Sequence, residues 1–349
     1  MIKEYFKNTN IGKKILLFKR IKSDPKFKVW IKDYDQCHSI MKFEEFGELN
    51  PDINIYYMRF DCAEWGFFAY WKFGIMALAF SDRYGLTPVI DWTKNSPYYE
   101  ADRSGDTDNP FEYYYERVSS ISCEEALKSR NVVFYSPQAC GFGQTLYADK
   151  SNEKDFVHLN KKYMKLKPDI KCKLDQEIND LIGDKKTLGI HVRGVEWGNI
   201  EGHPIPLGID IYIKQIDDAL KKNDFEQIFL ATDSEDTIEY LSKEYKDMIV
   251  YFVETVRAKK GSRTLAIFDQ GIERKDNHFL LGYEVLRDMM ALSVCQGIIA
   301  GLSNISLAAE ITKKGGGKEY EYKHIFENRL NRKGITAKKA IELMKKGKF

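Results

Sequence analysis

The stretch Leu188-Gly189-Ile190-His191-Val192-Arg193-Gly194-Val195-Glu196-Trp197-Gly198 constrains this chain more than any other. Lys185, Lys186 and Thr187 lead into a short apolar run, and Gly194 and Gly198 interrupt the residues after Arg193. A brief β-branched run bounded by turn residues reads as a buried parallel strand emptying into a loop, which places the chain in the α/β class. Ligands of open α/β sheets bind beyond the carboxyl ends of the strands, where Arg193 would sit. Strand alternation puts His191 and Arg193 on one side. A guanidinium there suits a phosphate, because its planar fork grips two oxygens at once. An arginine paired with a local carboxylate would read the same way.

The same grammar recurs on both sides of this strand. A strand over Ile53–Phe60, the loop Glu64–Ala69, a helix over Tyr70–Tyr84 and a strand over Pro88–Trp92 form the opening of a Rossmann-like domain. Gly66 would let backbone approach a ligand closely. Residues 93–117 are rich in Tyr, Asp and Asn, either acceptor surface or packing. Next come a strand over Asn131–Ser136, the loop Gly141-Phe142-Gly143 and helices over Phe156–Leu166 and Asp169–Ile182. The lysine-rich run around Lys161–Lys173 is the candidate crossing between domains.

Beyond Lys185 the expected order is helix Asp210–Lys222, strand Gln227–Asp233 and helix Glu235–Tyr245, which Ser234 can cap. A strand over Met248–Val253 and a mobile loop over Arg257–Lys275 come next. Helix Tyr283–Ser293, strand Gly297–Ala300 and a helix from Leu307 close the domain, with a basic terminal helix over Ala337–Lys346. The loop Gly301-Leu302-Ser303-Asn304-Ile305-Ser306 sits between a strand and a helix N-terminus, where free backbone N–H groups make an anion site. An ordinary cap by Ser303 or Ser306 is the plainer alternative. The expected division is a basic extension over residues 1–50, a Rossmann-like domain over 51–168, and a second Rossmann-like domain with its terminal helix over 185–349.

Composition excludes several function classes. A chain of 349 residues has room for two domains, and a net charge of +2 gives nucleic acid no electrostatic footprint. The six cysteines are scattered without zinc-binding spacing. No signal peptide is visible and the apolar runs fall short of a bilayer span, so a cytoplasmic location is expected. Residues 1–32 carry ten Lys and Arg against Glu4 and Asp24. Apolar residues at helical intervals among them suit either peripheral contact with the inner, anionic membrane face or a solvated helix packed on the domain.

Three segments stand in a telling order: Gly-Ile-His-Val-Arg at 189–193, Phe-Leu-Ala-Thr-Asp at 229–233, and Asp288-Met-Met-Ala-Leu-Ser running into Gly301-Leu-Ser-Asn-Ile-Ser. Over residues 55–312 the chain resembles the fucosyltransferase superfamily that holds the alpha-1,6-, alpha-1,2- and protein O-fucosyltransferases and the rhizobial nodulation enzyme. The resemblance implies a GT-B architecture, two Rossmann-like domains facing across a cleft, and inverting, metal-independent transfer from GDP-fucose without a cofactor. By position, Arg193 matches the arginine on the donor diphosphate, and His191 the family histidine. Asp233 and Asp288 mark the second and third motifs, Ser303, Asn304 and Ser306 the phosphate loop, and Gly66-Phe67-Phe68, loosely, the N-terminal glycine loop. Gly194 stands where many members carry a second arginine, and Glu196 where an aspartate often follows.

The expected function is therefore a glycosyltransferase moving fucose from GDP-fucose to a glycan or glycolipid precursor in polysaccharide biosynthesis. A same-fold enzyme using another nucleotide sugar and a non-catalytic sugar-nucleotide or glycan binder are the alternatives. An inverting reaction needs a base beside the diphosphate, and Glu196 and Glu201 both come after the phosphate-side strand. Glu201, ten positions beyond His191 and braced by Pro204 and Pro206, is the expected base; Glu196 is placed to orient Arg193.

Overall fold

The structure, a computed structural model, describes residues 9–25, 40–103, 107–136, 153–194, 204–259 and 272–327. Its contacts divide the chain into two units, one of Met1–Trp65, Tyr70–Phe142 and Tyr163–Lys165, the other of Gly66–Ala69, Gly143–Lys162 and Leu166–Phe349. Each is built on a mostly or wholly parallel sheet with helical crossovers, the two-Rossmann make-up of the GT-B class.

In the first unit, helix α1 (Asn10–Ser23) precedes strands β1 (Ile40–Glu44), β2 (Ile55–Phe60), β3 (Thr87–Trp92) and β4 (Val132–Ser136), with α2 (Phe67–Tyr84) crossing from β2 to β3. The sheet order is β1-β4-β2-β3. β2 runs parallel to both neighbours, and β1 closes the edge antiparallel to β4, with Lys42 opposite Phe134. Apolar residues on both faces of β2 and β3 account for their burial between layers. The sequence predicts a separate extension over residues 1–50; β1 is instead part of this sheet. Helix α2 begins at Phe67, three residues earlier than expected, so Phe67 and Phe68 belong to its first turn and not to a loop.

The second unit opens with helices α3 (Glu153–Tyr163) and α4 (Pro168–Ile182), the second started by a proline that lacks only an N–H the first turn leaves unused. Strand β5 (Thr187–Val192) follows, then α5 (Ile209–Lys222), β6 (Gln227–Thr232), α6 (Glu235–Tyr245) and β7 (Ile249–Val250). Helix α7 (Asn277–Val294), β8 (Gly297–Gly301), α8 (Asn304–Gly315) and β9 (Tyr322–Phe326) complete it. All five strands are parallel in the order β7-β6-β5-β8-β9. In order of appearance that is third, second, first, fourth, fifth, so the winding reverses between β5 and β8. The carboxyl ends flanking such a reversal open a crevice.

Two glycines let this sheet pack closely. A Cβ on Gly297 would lie 2.5 Å from Phe225 Cζ and 2.7 Å from Leu188 Cδ1, and one on Gly189 would lie 3.1 Å from Leu292 Cδ2. Fully buried Leu188, Ile190, Ile216, Ile228, Leu230 and Ile299 make the core beside them.

Several boundaries differ from expectation for identifiable reasons. The strand expected over Met248–Val253 shrinks to Ile249–Val250: Met248 ends a 3-10 turn, and beyond Val250 the carbonyl of Phe252 is taken by Arg257 at 2.8 Å. Helix α7 starts six residues before Tyr283, and α8 starts at Asn304, so Asn304 and Ser306 are helical and only Ser303 caps. Ser234 caps α6 as expected, its side chain accepting from Thr237 N at 3.3 Å. The expected loop at Gly141–Gly143 and the terminal helix Ala337–Lys346 lie outside the described residues.

Candidate functional site

The reversal between β5 and β8 carries a pocket. His191 and Arg193 reach it from the end of β5, Gly301, Leu302 and Ser303 from the end of β8, and Pro204, Pro206, Leu207 and Tyr212 complete its walls with Gly194. The space it bounds, the open solvent at its mouth included, is about 330 Å³.

Ser303 is the hinge of this arrangement. Its extended backbone ends β8's exit, and its Oγ accepts from Ser306 N at 3.2 Å, satisfying one of the free N–H groups that open α8. Ser306 Oγ in turn donates towards the carbonyls of Ser303 (2.9 Å) and Gly301 (3.1 Å). Ser303 Oγ also lies 3.1 Å from His191 Nδ1, across from the neighbouring strand. The first turn of α8 is thus fixed over the end of β5, with the positive end of its dipole at the crevice. Asn304, the first residue of that turn, is half-buried and does not line the pocket.

His191 is 8% exposed, and burial first, then the charge of Arg193, pushes its imidazole down to about 3. It is neutral at ordinary pH. When the Ser303 hydroxyl donates to Nδ1, the ring's own proton sits on Nε2, so the imidazole adds a donor without adding charge. Arg193 is half-buried beside it and supplies the cation.

Asp233, just past β6, joins the site through backbone. Its Oδ1 accepts from Gly194 N at 2.7 Å, and its own carbonyl accepts from Ala258 N at 2.8 Å. Burial raises the Asp233 carboxyl, while Arg193 and the Gly194 N–H oppose the shift. The carboxylate therefore positions the turn from which Arg193 emerges.

Asp288 lies elsewhere in the same unit. It is 6% exposed on α7, near Arg257 and Arg287, and burial lifts its carboxyl to about 7 against the pull of both cations. Arg257 grips Thr232 O at 3.2 Å as well as the Phe252 and Thr255 carbonyls, so it braces the strand end next to Asp233. Arg287 bonds Glu177 at 2.7 Å, Thr255 Oγ1 at 3.0 Å and Glu254. Glu284 receives Arg274 in a fork at 2.5 and 3.1 Å. The sequence places Arg257 in a mobile loop; its partners are 2 to 25 residues away, beyond any motif. Tyr212 also escapes sequence reasoning, because at i+3 from Ile209 it reads as one more core position of α5.

The structure brings His191, Arg193 and Ser303 to one pocket, with Asp233 and Ser306 directly behind them. It does not bring Asp288 to that pocket. Gly66 and Phe67 stand at the start of α2, where Phe67 is buried and a Cβ on Gly66 would meet no protein atom within 4 Å. Glu196 and Glu201 lie outside the described residues. Among the described residues no group of three His, Cys, Asp or Glu could hold a metal ion, and no helix is long and apolar enough to cross a membrane.

No family model and no curated protein matches the chain. Solved structures do. A NodZ alpha-1,6-fucosyltransferase soaked with GDP-fucose is 15% identical over 74% of this chain and 92% of its own, with a TM-score of 0.45. The fucosyltransferase NodZ from Bradyrhizobium is likewise 15% identical, over 74% and 92%, at 0.43. POFUT1 in complex with GDP is 12% identical over 79% and 99%, at 0.48. The chain is similar to these structures in the general arrangement of its α/β elements.

Proposed function

We propose that the chain is an inverting glycosyltransferase that moves a sugar, fucose by its motifs, from a GDP-linked donor to a hydroxyl of a glycan or glycolipid precursor. The observation that carries this reading is the pocket at the β5/β8 reversal, where Arg193, neutral His191 and the Ser303-capped start of α8 converge. A sugar nucleotide leaves as a diphosphate, and charge accumulates on the oxygen that departs from the anomeric carbon. The fork of Arg193 and the N–H groups of α8 are donors aimed from both strand ends at such a group.

In the transfer, the acceptor oxygen forms its bond to the anomeric carbon as the bond to the phosphate oxygen breaks. The bonding pair leaves with GDP, and the acceptor's proton passes to a carboxylate. Glu201 is the proposed base, and Glu196 the residue proposed to orient Arg193. His191 donates without charge, leaving the Arg193 cation undivided for the phosphates. Gly194, held by Asp233, keeps that arginine in register. Neither a metal nor an organic cofactor has a part in the proposed reaction.

Thermal denaturation with GDP-fucose, GDP-mannose and UDP-sugars tests the donor. Saturating GDP-fucose at ~100 times its Kd should stabilise the fold by roughly 2.7 kcal/mol, and UDP-sugars should not. Stabilisation by UDP-sugars alone would overturn the GDP assignment, and stabilisation by none would overturn the sugar-nucleotide reading.

A further inference from the structure

We propose that the outer face of α1 is a docking surface for an anionic lipid bilayer. The helix Asn10–Ser23 contains Lys13, Lys14, Lys19, Arg20 and Lys22 and no acid. Ile11, Ile15 and Phe18, at i, i+4 and i+7, fall on one face and are 65%, 38% and 39% exposed. The first unit holds the helix by other groups. Ile21 is buried, Lys14 Nζ donates to Arg130 O at 3.2 Å, and Asp24, just beyond the helix, pairs with Arg83 at 2.7 Å. The apolar stripe is therefore left outward by a helix that is otherwise seated.

The stripe continues onto the sheet edge. Phe18 packs edge-on against Phe43 at 5.0 Å, and Lys14 lies 3.7 Å from Glu45. Helix and strand thus run in opposite directions, which carries the chain after β1 towards the start of α1, where Phe46 is 40% exposed. Two of the nearby acids are engaged: Glu45 and Glu48 both pair with Arg130. The Lys22 ammonium lies 4.1 Å over the Phe18 ring, so a cation sits directly against the stripe.

Cations bordering an exposed apolar stripe match a surface that offers negative headgroups with hydrocarbon beneath. A second copy of the same helix would set five cations against five, so self-pairing is disfavoured by charge. This inference stands apart from the transferase reading, since it uses no residue of the β5/β8 pocket.

Co-sedimentation of the full chain with vesicles tests it, using phosphatidylcholine alone or with about 30 mol% phosphatidylglycerol. Binding should require the anionic lipid and should fall at least ~10-fold between about 0.05 and 0.5 M NaCl. The double substitution Ile11→Gln, Ile15→Gln should lower it ~10-fold, and Lys13→Gln, Lys19→Gln comparably, with unchanged melting curves. Equal binding to both vesicle types, binding to neither, or a dimer in sedimentation equilibrium that the Ile variants dissolve would overturn the proposal.

Discussion

His191, on β5, and Ser303, just past β8, meet at 3.1 Å across the point where the sheet's winding reverses. One serine hydroxyl therefore serves the buried imidazole and the first turn of α8 together. Ser303→Ala should remove a helix cap and leave Nδ1 without its partner, a combined loss of about 2 kcal/mol. Urea denaturation should show that loss, donor binding should weaken with it, and Ser303→Thr should recover most of both. A Ser303→Ala variant as stable as the parent would contradict both roles of the hydroxyl.

Two buried groups give the stability opposite dependences on pH. The unfolded chain protonates His191 near 6.5, whereas the folded one resists to about 3. The contribution of this site is complete above the unfolded value and is lost as pH falls towards 3, by up to ~1.4 kcal/mol per pH unit. Asp288 works the other way: the folded carboxyl keeps its proton up to about 7 against an ordinary 3.8. Its contribution is complete below that ordinary value and is lost as pH rises to 7. Between about pH 4 and about pH 6.5 the two offset each other. Relative to the parent, Asp288→Asn should gain stability as pH rises across that window, and His191→Gln should lose it. Parallel curves for all three proteins would refute both assignments.

The strands that frame the pocket were legible because full burial forces continuous apolar runs, as in Leu188–Val192 and Gly297–Gly301. Their polar exits were legible for the same reason, since a run that stops at Arg193 or Ser303 must leave the sheet there. Edge strands leave no such mark. β1 carries Lys42 and Glu44, and β9 carries Lys323 and His324 with only partial burial, so neither alternates cleanly enough to be read. The early start of α2 was hidden because Phe67 and Phe68 suit a loop face or a helix turn equally. The Arg257 clamp and the Gly194–Asp233 contact were illegible in principle, because each joins separated segments through backbone groups that every residue has.

The base assignment separates by substitution. Glu201→Gln should leave GDP affinity intact and cut turnover by ~10²–10⁴-fold, the usual span for a lost general base. Glu196→Gln should act more weakly, through the orientation of Arg193. If Glu196→Gln is the variant that abolishes turnover while Glu201→Gln transfers normally, the two roles are exchanged.

The central claim is that Arg193 holds a leaving diphosphate without help from a metal. GDP released from GDP-fucose in the presence of a glycan and glycolipid acceptor pool, by the parent protein and by Arg193→Lys, with and without EDTA, tests it most directly. Release by the parent should be unaffected by EDTA. Arg193→Lys keeps the charge but not the fork, and should reduce release at least ~100-fold, the scale of one lost transition-state donor, while remaining folded. No release by the parent, release that needs Mg²⁺ or Mn²⁺ to recover from EDTA, or equal release by a folded Arg193→Lys protein would contradict the account.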